Sequence, residues 1–120
     1  MTLKNQIWKC EICGNVIEVL HEGADSLVCC GQPMNLIEEK IEDEGNEKHV
    51  PVIKGKIVKV GSIPHPMEEK HYIEWIEATS EKNEICKIFL NPENEPQAEF
   101  SFEVKYAKAY CNIHGLWISK

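Results

Sequence analysis

The sequence predicts a mainly-β chain in two parts, a small cysteine-rich metal module followed by an antiparallel β-sandwich or barrel. Three observations lead there. Four of the six cysteines (Cys10, Cys13, Cys29, Cys30) fall within the first 30 residues, whereas four of the five histidines lie at or beyond residue 49. Ala98, Phe100, Phe102 and Val104 alternate with Glu99, Ser101, Glu103 and Lys105, the period of a strand with one buried face. No segment sustains a helical period over ten residues.

Taken in order, Met1–Lys9 holds no apolar stretch of signal-peptide length, and nowhere does an apolar run approach the roughly 20 residues that cross a bilayer. The chain therefore reads as cytosolic, with no membrane partner. The cysteine module spans residues 1–37 and the second domain residues 38–120. The run from Glu38 to Lys48 is charged and poor in apolar residues, a solvated connector. Beyond it the strand candidates are Lys56–Val60, Tyr72–Thr79, Glu84–Leu90, the alternating run from Ala98, Lys105–Tyr110 and Leu116–Ser119. Gly55, Gly61-Ser62, Pro64, Pro66, Asn91-Pro92 and Gly115 punctuate them.

A length of 120 residues allows one ordinary domain and a small appendage that needs a staple of its own. Six cysteines in a reducing compartment point to metal ligands or reactive thiols rather than to disulfides. The formal net charge of -7 argues against nucleic acid as a partner. It also requires any anionic substrate to meet local positive charge at its site.

Two constellations carry the chemistry. Cys10-Glu11-Ile12-Cys13, followed after fifteen residues by Cys29-Cys30, supplies four thiolates, enough to close a tetrahedral shell. Gly14 and Gly31, each just after a cysteine, suit the tight turns such ligands need. The spacing suits structural zinc and iron equally. About 37 residues bury too little apolar surface to fold alone, so the metal would supply much of the folding free energy. The second constellation is His49, His65, His71, Cys111 and His114. His65 sits between two prolines that fix the backbone, and Cys111 and His114 are spaced to bind one ion from a single turn. Imidazoles suit iron, zinc, copper and nickel, and one thiolate among them would strongly perturb an iron's electronics.

His49-Val50-Pro51-Val52-Ile53, the block from Pro64-His65-Pro66-Met67 through His71-Tyr72-Ile73-Glu74-Trp75, and Tyr110-Cys111-Asn112-Ile113-His114-Gly115-Leu116-Trp117 together resemble the iron domain of superoxide reductases. The first module resembles desulforedoxin, and the two in this order resemble the two-iron desulfoferrodoxins across nearly the whole chain. The resemblance implies a rubredoxin-like Fe(Cys)4 centre on Cys10, Cys13, Cys29 and Cys30. It implies a square-pyramidal iron with His49, His65, His71 and His114 equatorial and Cys111 axial. It further implies an immunoglobulin-like seven-stranded β domain, a homodimer, and one-electron reduction of superoxide to hydrogen peroxide with electrons from a rubredoxin-type donor. In the family pattern Glu47 and Lys48 flank the open face, Lys48 steering superoxide and helping to deliver a proton, Glu47 capping the ferric iron once product leaves. Val52–Lys56 is tighter than the hairpin this likeness leads one to expect.

Two competing functions stand beside this one. A non-haem iron oxygenase or peroxidase would need a carboxylate-containing facial triad, which four histidines and a thiolate fit poorly. A zinc-ribbon binding module or simple electron carrier would have no catalytic site, and zinc alone in the protein would mark the module. Cys86 reads as a buried thiol acting as a small hydrophobe, His21 as an exposed residue, and Trp8, Trp75 and Trp117 as packing groups near metals or in the core.

Overall fold

The computed structural model describes residues 2–24, 26–43 and 48–119. All regular structure among them is strand, and the chain divides into two compact units, Met1–Glu38 and Glu39–Lys120.

In the first unit β1 (Ile7–Lys9) is the central strand of an antiparallel sheet, flanked by β2 (Val16–Glu18) and β5 (Asn35–Ile37). A separate hairpin joins β3 (Val28–Cys29) to β4 (Gln32–Pro33). The strands are two or three residues long because little holds them: among the described residues the buried apolar side chains here are Ile7, Cys10, Val19 and Met34. A core that small leaves the unit dependent on cross-linking. Trp8 is half-buried and His21 is exposed.

The second unit is a two-sheet sandwich. One sheet runs β10 (Ile85–Phe89), β9 (Ile73–Thr79), β12 (Tyr106–Cys111), β13 (Gly115–Ile118), β6 (Glu39–Lys40), the other β11 (Gln97–Glu99), β8 (Ile57–Val60), β7 (Pro51–Lys54). All pairings are antiparallel except β13 with β6. The seven strands from β7 to β13 form the three-on-four arrangement of an immunoglobulin-like sandwich. Val58 and Val60 of β8 and Ala98 of β11 meet Ile76 and Ala78 of β9 and Ala107, Ala109 and Cys111 of β12 in one core, closed by Ile73 and Phe100.

The hairpin from β7 to β8 turns on two residues, Gly55 and Lys56, with Lys54 paired to Ile57. That is the tight turn expected from Val52–Lys56. The alternating run from Ala98 forms less strand than its pattern predicts, since β11 ends at Glu99. Beyond it Phe100 N–H donates to the Lys56 carbonyl (2.8 Å) and Val104 N–H to that of Gly55 (2.9 Å). The segment wraps the end of that hairpin, where no further strand remains to pair with. Its apolar side chains still face inward, with Phe100 buried and Phe102 and Val104 packed against the core.

The connector differs too. Glu39 and Lys40 form β6 alongside β13, because two residues of parallel ladder need backbone groups rather than apolar side chains. Cys86 is half-buried rather than buried, packed against the core's margin. Trp75 is buried and stacks on Tyr110 at 4.4 Å between ring centroids.

Candidate metal centres

Cys10, Cys13, Cys29 and Cys30 bring their four sulfurs within 4.8 Å of one another. Two turns do this. In the first, Gly14 N–H donates to the Cys10 carbonyl (2.9 Å) and Cys13 N–H points at Cys10 Sγ (3.5 Å). In the second, the β3–β4 turn presents adjacent cysteines, and Cys30 reaches its place with a left-handed φ of 53°. A metal–sulfur bond of about 2.3 Å sets the edge of a regular sulfur tetrahedron at about 3.8 Å. Cys13 Sγ lies 3.5 Å from Cys29 Sγ, and Cys29 Sγ 3.9 Å from Cys30 Sγ, so the set fits one tetrahedral ion. The protonation landscape agrees. The Cys13 N–H holds the Cys10 thiol down to about 6, while the crowding sulfurs of Cys13 and then Cys29 push Cys30 up to about 12. Four thiolates this close need a cation among them.

The second set lies at one end of the sandwich. His49 immediately precedes β7, His65 and His71 lie between β8 and β9, Cys111 ends β12, and His114 sits in the turn to β13. Antiparallel pairing places the starts of β7, β9 and β13 with the ends of β8 and β12. The four imidazoles form a closed ring in which each touches two others. Centroids are 4.5 Å apart for His49 and His65, 4.9 Å for His65 and His71, 5.1 Å for His71 and His114, and 5.0 Å for His114 and His49, with neighbouring planes 60° to 86° apart. Cys111 brings its sulfur within 4.8 Å of a nitrogen from each, and it is fully buried while His114 is exposed. Four imidazole nitrogens and one buried sulfur thus lie close enough together to hold a single ion.

Backbone and side-chain bonds hold each ligand. His65 Nδ1–H donates to the Pro66 carbonyl (2.8 Å), which fixes the tautomer and turns Nε2 to the site. His114 N–H donates to Cys111 Sγ (3.4 Å). Asn112 joins two ligand segments: its Oδ1 accepts from Tyr72 N–H (3.0 Å), its backbone N–H donates to the Tyr72 carbonyl (3.2 Å), and its Nδ2 donates to the Lys70 carbonyl (3.0 Å). Asp43 Oδ1 accepts from the N–H groups of His49 (2.5 Å) and Val50 (3.0 Å). Trp117 stacks on the His49 ring at 4.5 Å and 12°.

Trp117 packs beside a ligand, one of the two places expected of it, whereas Asn112 and Asp43 are supporting residues that sequence reasoning did not single out for the site. Asn112 stood between two candidate ligands, which was the one available signal. Lys48 is half-buried directly before His49. Its carbonyl packs against Gly61, whose φ is +83° and where a Cβ would overlap the carbonyl oxygens of Lys48 and Ile63. Glu47 lies outside the described residues. Five donors from imidazole and thiolate fit a borderline ion such as iron, which His49, His65, His71, His114 and Cys111 would hold.

Family models for desulfoferrodoxin match residues 41–120, and for the desulfoferrodoxin N-terminal domain residues 2–37. A desulfoferrodoxin homolog of Archaeoglobus fulgidus is 54% identical over 125 aligned positions, covering 99% of each chain. A superoxide reductase of Pyrococcus abyssi is 38% identical over 65% of this chain and 89% of its own. The crystal structure of the superoxide reductase from Treponema pallidum superposes with a TM-score of 0.78 at 27% identity, covering 96% of this chain and 97% of that one. With four gathered thiols in the unit matched by one family model and a ring of four imidazoles beside a buried sulfur in the unit matched by the other, the chain belongs to the desulfoferrodoxin family.

Proposed function

We propose that the chain is a superoxide reductase, an oxidoreductase that adds one electron and two protons to superoxide to give hydrogen peroxide. The observation that carries this reading is the closed ring of four imidazoles over the buried Cys111 sulfur. The chain has two iron sites, Fe(Cys)4 on Cys10, Cys13, Cys29 and Cys30 and Fe(His)4(Cys) on His49, His65, His71, His114 and Cys111. When bound in the second, iron supplies the electron for superoxide reduction. Every other part is played by the protein.

Four neutral imidazoles and one thiolate leave a ferrous site with a net charge of about +1, attractive to an anion although the chain carries -7. Lys48 adds an ammonium beside His49, drawing superoxide inward and offering a proton. For Glu47, the residue before Lys48 in the sequence, the likeness to the family supports the part of a carboxylate that would cap the metal. Cys111 holds sulfur on the buried side, so substrate approaches from the side on which His114 is exposed. The donor set includes no carboxylate among the described residues, which tells against an oxygenase.

The partner assignments follow the same reading. A rubredoxin-type protein delivers the electrons, and the enzyme works in the cytoplasm; no helix of the described residues is long and apolar enough to cross a membrane. A homodimer is supported by the first unit, which exposes Leu3, Ile12, Ile17, Leu20, Val28 and Leu36, more large apolar side chains than it buries.

The test is anaerobic mixing of the reduced holoprotein with superoxide. One peroxide per superoxide, no dioxygen, and growth of thiolate-to-ferric charge-transfer absorption matched to one iron per chain is the expected result. Stoichiometric dioxygen, or zinc in both sites by metal analysis, would remove the proposal.

A further inference from the structure

Lys40 is no ligand, yet it bonds the backbone of one ligand and lies on the ring that stacks against another. The parallel register of β6 on β13 sets Lys40 directly opposite Trp117. Its Nζ lies 4.9 Å from the centroid of the Trp117 ring and donates to the His114 carbonyl at 3.0 Å. The same indole lies nearly parallel to the His49 imidazole, 4.5 Å away. Trp117 and His49 are each 3% exposed, so the ring stack itself is dry, while Lys40 is exposed. On the other side β6 is held by Glu39 Oε1, 3.1 Å from Lys108 Nζ. A two-residue strand with almost no apolar content is thus tied down at both of its side chains.

We propose that Lys40 is a positioning residue for the imidazole–thiolate iron, fixing the His49 ring through Trp117 and the His114 loop through its carbonyl, and raising the reduction potential of the bound metal. The inference rests on the reading that iron occupies this site. A fixed positive charge disfavours the ferric form more than the ferrous, since the ferric form carries one more unit of positive charge. Lys40 is exposed and its field is weakened by water and salt, but its ammonium lies on an indole and bonds a ligand's own carbonyl, so its charge reaches the site over a short path through protein. The arrangement keeps the metal ferrous against a modest donor, and it restrains two of the four imidazoles from rotating out of the ring.

The test is a redox titration of the full-length holoprotein, following the thiolate-to-iron charge-transfer absorption of the second site in the wild type and in Lys40→Gln, Lys40→Met and Lys40→Arg. The two uncharged variants are expected to retain iron, to shift the midpoint downward so that the ferric-to-ferrous ratio at fixed potential rises severalfold, and to broaden or move the absorption band. Lys40→Arg is expected to restore both. A purely structural strut would leave the midpoint unchanged at full iron content, and a wild-type midpoint in Lys40→Gln or Lys40→Met overturns the inference while the functional reading stands. A wild type with no such absorption overturns the functional reading and this inference with it.

Discussion

Gly61 shows how a single backbone position serves the site. With φ at +83° and carbonyls of Lys48 and Ile63 against the place a side chain would fill, only glycine lets the strand preceding His65 pass the residue preceding His49. Gly61→Ala is expected to destabilise the second unit by roughly 1–3 kcal/mol, read from urea unfolding of the holoprotein. It should also displace Lys48. That lysine has its own test: Lys48→Ala should slow the bimolecular oxidation of the reduced site by about tenfold and flatten its dependence on ionic strength, as stopped-flow measurements at several salt concentrations would reveal. An unaltered salt dependence would take Lys48 out of substrate capture. At this scale the ligands were legible because histidine and cysteine are scarce and sit in short motifs. Asn112 and Lys40 were not, because a side chain that bonds a backbone 40, 42 or 74 residues away leaves no spacing to read; Asp43, though it bonds the nearby N–H groups of His49 and Val50, sits in a charged run that reads as a solvated connector.

Strands obey a different rule, in which alternation reports the buried face more faithfully than it reports the ladder. The run from Ala98 shows this: Phe100, Phe102 and Val104 point into the core as their spacing demands, but the ladder stops at Glu99 because the hairpin it pairs with has ended. Phe100 is 4% exposed and joins both sheets, so Phe100→Ala should cost about 3–5 kcal/mol in a denaturant titration. A loss under about 1 kcal/mol would mean that the site collapses around the deletion. The β6 strand was hidden for the converse reason, since Glu39 and Lys40 are charged residues whose ladder depends on β13 rather than on their own pattern. In β9 and β12 the register shifts between Tyr110 and Cys111, and Cys111 pairs with Ile73. That irregularity sets an apolar side chain rather than Glu74 beside the ligand sulfur, a detail no period-two pattern contains.

For the whole molecule, the two units rely on different sources of stability. The sandwich has a core drawn from both sheets, whereas the first unit has four buried apolar side chains among its described residues and a metal site. Chelation of the Fe(Cys)4 centre should therefore release the amides of Ile7–Lys9 and Asn35–Ile37 to fast hydrogen exchange while those of Ile73–Thr79 stay protected. Slow exchange throughout after iron loss would show that the first unit needs no metal. All five donors of the second site come from one end of the sandwich, and the far end, where the Glu81–Asn83 turn joins β9 to β10, holds none of the metal donor sets found among the described residues. It is a natural attachment point for a dye, an electrode linker or a fused reductase, added without crowding the mouth through which a small anion must come and go.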